Sequence, residues 1–160
     1  VYMIHSREAL EKHLEDNNYP ISPDSLTLIQ DRKESSEKKI YRVEIVNAEH
    51  LYTLAVDTTS GYNLCPATTC QMENCPIRGS SKGEKFKIIQ DPRIELIEKY
   101  KSFSKKYHLD IVAFEYIVDQ DGECWTYDIN CNTNYNRPAE VKAGKPDLSY
   151  QKIINFLKLK

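Results

Sequence analysis

The stretch from Ile111 to Asn130 constrains the fold more than any other part of the chain. Ile111-Val-Ala-Phe-Glu-Tyr-Ile-Val118 and Glu123-Cys-Trp-Thr-Tyr-Asp-Ile-Asn130 flank Asp119-Gln-Asp-Gly122. Runs rich in β-branched and aromatic residues on either side of a turn signal predict a β-hairpin. Asp121-Gly122 suits the two central positions of a type I′ turn, where both residues need positive φ. That turn sets a register in which Tyr116 faces Tyr127, Val118 faces Trp125 and Phe114 faces Ile129, a wholly apolar and aromatic side. On the other side Glu115 lies across from Asp128, with Asn130 two residues further along. Directly opposed side chains have Cβ atoms about 4.5–5.5 Å apart, and like charges there repel. Such a pair needs a shared proton or a bound cation. Two carboxylates and an amide oxygen are hard donors of the kind Mg2+ takes beside substrate phosphates. Periodicity alone also allows a solvated sheet face whose acids meet no metal.

The remaining segments place this hairpin in an α+β context. Val1 to Ile4 reads as a strand, and Ser6 caps a helix from Arg7 to Asp16. Leu26 to Ile29 reads as a short strand. Ile40 to Val46 alternates, with Tyr41, Val43 and Ile45 on one face and Ile40, Arg42, Glu44 and Val46 on the other. Asn47 to Glu49 turns it into a second strand, His50 to Val56, and residues 57–84 form a long loop. Phe86 to Ile89 is a further strand. Asp91-Pro92 marks a helix start, with Leu96, Tyr100, Phe103 and Tyr107 along one face. A last helix begins near Leu148 and shares Tyr150, Ile153, Ile154 and Leu157 on a face. Hairpins interspersed with helices imply a mainly antiparallel sheet with flanking helices.

The bulk properties exclude several classes of partner. The chain has 160 residues, a net charge of -2 and a pI near 6.1, so neither nucleic acid nor an anionic membrane is an expected partner. No apolar run reaches membrane-span length and no signal peptide opens the chain. Five cysteines, an odd number, argue for reduced thiols and a cytoplasmic setting rather than a disulfide framework. The chain starts at Val1, inside an expected strand, which reads as a fragment of a longer protein.

Phe114-Glu115 followed by Tyr127-Asp128-Ile129-Asn130 resembles the metal-binding signature of the ATP-grasp superfamily. The continuation Cys131-Asn132-Thr133-Asn134-Tyr135-Asn136 is similar to the loop after that motif in glutamate-ligase-like and ribosomal-protein-modifying members. The resemblance implies that Glu115, Asp128 and Asn130 hold the magnesium ions that bridge ATP phosphates. Thr27-Leu28-Ile29-Gln30-Asp31 resembles the family hinge, which implies that Gln30 lies at the adenine and Asp31 at the ribose hydroxyls. Arg42, in Ile40-Tyr41-Arg42, resembles the arginine that stabilises phosphate or acyl-phosphate charge, although Ile40 replaces the acid that often precedes it. Asn132 and Asn134 would shape the acceptor side. The implied whole is the C-terminal part, spanning 1–160, of an ATP-grasp domain in a carboxylate–amine ligase. It would use ATP and Mg2+ with small-molecule or peptide carboxylate and amine substrates. The family's phosphate-binding lysines and glycine-rich loop would belong to a missing N-terminal lobe of the same protein.

Two other readings compete with the enzyme. An ATP-grasp-like domain could bind without turnover. Alternatively, Cys65, Cys70 and Cys75 could centre a structural metal site, with Cys124 or His50 as a fourth ligand, although no close Cys-x-x-Cys pair is present. Arg78-Gly79-Ser80-Ser81-Lys82-Gly83 is a cationic loop without P-loop spacing, and reads as a solvated loop.

Overall fold

The computed structural model describes residues 4–15, 26–59 and 85–158, distributed over a unit Val1–Arg32 and a larger unit Lys33–Lys160. In the first, helix α1 spans Arg7–Glu15. Ser6 Oγ accepts the Ala9 N–H at 3.1 Å, the N-cap bond expected of a serine before a helix. The expected strand at 26–29 does not form; the segment has no regular secondary structure, and Leu28 and Ile29 are 84% and 68% exposed. An extended segment without a ladder has nothing to hold it as a strand, whatever its β propensity. Of the expected opening strand, residues 1–3 lie outside the described residues and Ile4 is irregular.

The larger unit is built on a five-stranded antiparallel sheet of order β3-β2-β1-β4-β5. Its strands are β1 Lys39–Val46, β2 Glu49–Asp57, β3 Phe86–Ile89, β4 Ile111–Val118 and β5 Cys124–Asn130. Asn47 and Ala48 join β1 to β2 with φ of 54° and 56°, the left-handed pair whose twist matches a two-residue hairpin. Central β1 is buried on both faces, Arg42 and Glu44 included. Its alternation therefore separates two interior environments, not an inside from an outside.

Helix α2, Ile94–Lys106, covers one face and packs Ile97 and Tyr100 on Tyr41, Val43, Val112, Phe114 and Tyr116. The Tyr100 and Phe114 rings stack with centroids 4.4 Å apart. The buried stripe of α2 is Ile97, Tyr100 and Ser104, so it is rotated from the expected face; Phe103 and Tyr107 are 38% and 52% exposed. Nor does Asp91 cap the helix, whose N-cap is Arg93. Instead Asp91 is buried and accepts the Arg93 N–H at 3.0 Å and the Tyr116 hydroxyl at 2.6 Å. Pro92 thus follows an aspartate that serves the core.

Helices α3, Arg137–Lys142, and α4, Leu148–Lys158, lie at the opposite face, where Ala139 and Leu148 join Ile40, Tyr52, Leu54, Val56 and Ile117. Asn136 Oδ1 caps α3 by accepting the Ala139 N–H at 2.9 Å. Fully buried Glu140 ties the layer together, accepting the Tyr52 hydroxyl at 3.0 Å and the Ser149 N–H at 3.3 Å. The buried residues of α4 are Ser149 and Phe156, whereas Tyr150, Ile154 and Leu157 are at least half exposed.

The β4–β5 hairpin departs from the expected turn and then recovers its register. Gly122 alone among the turn residues has positive φ, 81°. Asp119 organises the bend, its carboxylate accepting the N–H groups of Asp121 and Glu123 at 3.0 and 2.9 Å. Pairing next to the turn is Val118 with Cys124, Ile117 with Trp125 and Tyr116 with Thr126, so the expected Tyr116–Tyr127 and Val118–Trp125 pairs do not form. A β-bulge then absorbs Tyr127, and beyond it Glu115 pairs with Asp128, Phe114 with Ile129 and Ala113 with Asn130.

Candidate functional site

The site grows from the polar side chains that the sheet aligns on its α3/α4 face. Glu115 on β4 and Asp128 on β5 are direct cross-strand partners, and Asn130 follows two residues on, opposite Ala113. On the other side of β4, Arg42 of β1 pairs with the same Glu115. The register thus brings four of the expected site residues, Arg42, Glu115, Asp128 and Asn130, to one patch spanning three adjacent strands.

Arg42 sits between two carboxylates. Its Nε lies 2.9 Å from Glu44 Oε1 and 3.8 Å from Glu115 Oε1. The nearer contact is a charge contact without hydrogen-bond alignment, since Nε has no hydrogen-bond acceptor. Arg42 Nη2 donates to Thr133 Oγ1, and the Thr133 hydroxyl lies 3.0 Å from both oxygens of Glu44. Arg42 and Glu44 are 3% and 1% exposed, so these contacts act with little screening by water. Burial pushes the Glu44 carboxyl up to about 7, against the opposing pull of Arg42 and Thr133.

Burial also raises the Glu115 carboxyl, and the negative charge of Asp128 adds to the rise, while a hydrogen bond from Tyr127 and the Arg42 charge oppose it. The Tyr127 hydroxyl donates to Glu115 Oε2 at 3.0 Å. This is the consequence of the bulge: Tyr127, expected on the apolar side against Tyr116, turns its hydroxyl to the acidic pair. Its own proton is held more firmly than in free tyrosine by burial and by Glu115.

Does this set suit a divalent cation? Among the described residues no group of three His, Cys, Asp or Glu side chains is placed to hold a metal. The donors here are two carboxylates and an amide. Mg2+ characteristically takes only one or two protein carboxylates and completes its shell with phosphate and water. An opposed acid pair, one member of which burial makes reluctant to ionise, is stabilised by such a charge. The donor chemistry therefore fits Mg2+ whose remaining ligands are phosphate or water.

The other expected residues are less tightly drawn in. Asn132 and Asn134 are exposed in the irregular 131–136 loop, where Asn130 Oδ1 accepts the Asn132 N–H at 2.8 Å. Gln30 and Asp31 are exposed and irregular within the N-terminal unit. Cys65, Cys70, Cys75 and the loop 78–83 lie outside the described residues. Cys124 and Cys131 are free thiols. Sequence reasoning missed Glu44, Thr133 and Tyr127 as site residues. Glu44 carried a signal, standing two residues from Arg42 on the same strand face.

No protein-family model matches the chain, and no curated protein matches it. Among solved structures it is similar to the ATP-grasp ligase PsnB complexed with a phosphomimetic variant of minimal precursor, Mg and ADP. That likeness has a TM-score of 0.54 at 14% identity and covers 82% of this chain and 35% of PsnB. It is also similar to the macrocyclase MdnB from Microcystis aeruginosa MRC, with a TM-score of 0.53 at 15% identity over 98% of this chain and 46% of MdnB. The chain thus spans less than half the length of either protein. At these identities the likeness is one of fold, and the fold is of the ATP-grasp type.

Proposed function

We propose that this chain, with its ATP-grasp-type fold, is the C-terminal part of an ATP- and Mg2+-dependent carboxylate–amine ligase acting through an acyl phosphate. The observation that carries the reading is the opposed pair Glu115 and Asp128, with Asn130 on the same face and Arg42 3.8 Å from Glu115. In such a ligase a substrate carboxylate oxygen bonds to the γ-phosphorus of ATP as the bond to ADP breaks. The amine nitrogen then attacks the acyl carbon, phosphate departs, and the amine loses a proton to give the amide. Negative charge gathers on the phosphoryl oxygens, and fixed positive charge there is the main catalytic lever.

Mg2+ held by Glu115, Asp128 and Asn130 would supply Lewis-acid neutralisation of that charge. Arg42 adds a planar guanidinium preset by Glu44, Thr133 and Glu115. Gln30 and Asp31 would contact adenine and ribose, and Asn132 and Asn134 the acceptor. An N-terminal lobe of the same protein would bring the phosphate-binding lysines. PsnB, complexed with Mg and ADP, supports this choice of cofactors, and its precursor supports a peptide as one substrate class. A cytoplasmic setting agrees with the chemistry of ATP and reduced thiols.

The test is Asp128→Asn in the complete protein, read by ADP release at saturating Mg2+ and by thermal unfolding without nucleotide. Asparagine preserves size and relieves the repulsion with Glu115, so the fold should persist. Losing about 4 kcal/mol of transition-state stabilisation lowers turnover roughly a thousandfold. Unchanged turnover removes Asp128 from the metal site.

A further inference from the structure

The 131–136 loop has neither helix nor strand to hold it, yet it follows Asn130 directly and carries Asn132 and Asn134. Its central side-chain tether is Thr133, whose hydroxyl accepts from Arg42 and reaches both oxygens of buried Glu44. Burying a charged carboxylate beside an arginine is a poor way to gain stability, because desolvation offsets the attraction. A hydrophobic pair would fill the same space at no such cost. What Glu44 supplies that an apolar residue could not is orientation: it fixes the Arg42 guanidinium from one side and the Thr133 hydroxyl from the other.

We propose that Glu44 and Thr133 are positioning residues that dock the 131–136 loop onto Arg42, so that one buried carboxylate sets both the phosphate-side arginine and the acceptor-side loop. The inference rests on the ligase reading for its kinetic consequence, but the docking itself does not. Neither residue touches the reacting atoms. Their effect is on where the acceptor amine meets the activated carboxylate and on the aim of Arg42, so the amine step should depend on them more than ATP affinity does.

The experiment compares Thr133→Val, which keeps shape and removes the hydroxyl, with Thr133→Ser, which keeps the hydroxyl, in the complete protein. Hydrogen exchange of the amides of residues 131–136 reads the docking without any turnover. Thr133→Val should speed that exchange about tenfold, the worth of one hydrogen bond to a charged group, and Thr133→Ser should restore it. In turnover, Thr133→Val should raise KM for the amine or lower kcat about tenfold with a smaller change in KM for ATP, again with rescue by serine. Equal exchange in wild type and Thr133→Val, or equal losses in the valine and serine variants, overturns the proposal. So does a fall in ATP affinity matching the fall for the amine. A wild-type protein that releases no ADP refutes the ligase reading instead, and the exchange measurement still decides the docking.

Discussion

Replacing Glu44 with glutamine should flatten the pH dependence of stability. The carboxyl is 1% exposed, and its affinity for a proton is raised from the ordinary 4.5 to about 7, chiefly by burial. Between those values the folded chain holds a proton that the unfolded chain has released. The stabilisation is therefore complete below about pH 4.5 and is lost as pH rises through about 7. At about 1.36 kcal/mol per pH unit of displacement, the full swing is at most about 3 kcal/mol. The charged groups facing Glu44 are Arg42 on its own strand and Glu115 on β4, with the Thr133 hydroxyl from the loop. Glu115 is raised as well, so it contributes a slope of the same sign to both proteins. Urea unfolding at pH 5 and pH 8 on wild type and Glu44→Gln isolates the difference. Wild type should lose about 2–3 kcal/mol more than the variant over that interval. Parallel losses in the two proteins would mean that Glu44 ionises as an ordinary surface acid, and the buried Arg42–Glu44–Thr133 arrangement would be wrong.

Tyr127→Phe removes the donor at 3.0 Å from Glu115 and should raise that carboxyl further, since this hydrogen bond is the first cause opposing the rise. The Mg2+ requirement for ADP release should then increase roughly tenfold or more, as when a partner of a metal ligand is lost; an unchanged Mg2+ titration contradicts it. Tyr116→Phe deletes the hydroxyl at 2.6 Å from buried Asp91 and leaves the carboxylate to the Arg93 N–H and guanidinium. Urea unfolding at neutral pH should show a loss of about 1–3 kcal/mol, and a loss below about 0.5 kcal/mol would show that Asp91 is satisfied without it.

The acidic pair was legible because hairpin pairing is local and like charges across a ladder are conspicuous. Its register nonetheless came right through two compensating departures, a three-residue bend closed between Asp119 and Glu123 in place of the two-residue type I′ turn and a bulge at Tyr127. The bulge is not written in β propensity. It accompanies partners far away in sequence: Thr126 Oγ1 meets the Tyr100 hydroxyl of α2 at 2.5 Å, and Tyr127 meets Glu115. Glu44 was hidden for a related reason. Alternation marks Arg42 and Glu44 as the polar face of β1, but that this face is interior depends on strands either side of β1 and on the α3/α4 layer above it. The rotated stripe of α2 shows the limit of helical periodicity. Phe103 and Tyr107 fit the spacing, yet Ser104 is buried in their stead, its hydroxyl bonded to the Leu109 carbonyl at 2.6 Å. The strand expected at 26–29 failed because propensity names residues that suit a ladder without supplying one.

The extra residue at Tyr127 also divides the hairpin into two lengths that need not be altered together. On the tip side, 116–126, pairing is dictated by the Asp119-centred bend; on the root side, pairing is dictated by β1 and β4. Because the irregularity lies between them, the bend can be exchanged for one of different type, or extended as a graft point, while Asp128 keeps its partner. Removing Tyr127 itself would merge the two lengths into one regular ladder, in which Thr126 still faces Tyr116 and Asp128 still faces Glu115, at the cost of the Tyr127 hydroxyl on Glu115.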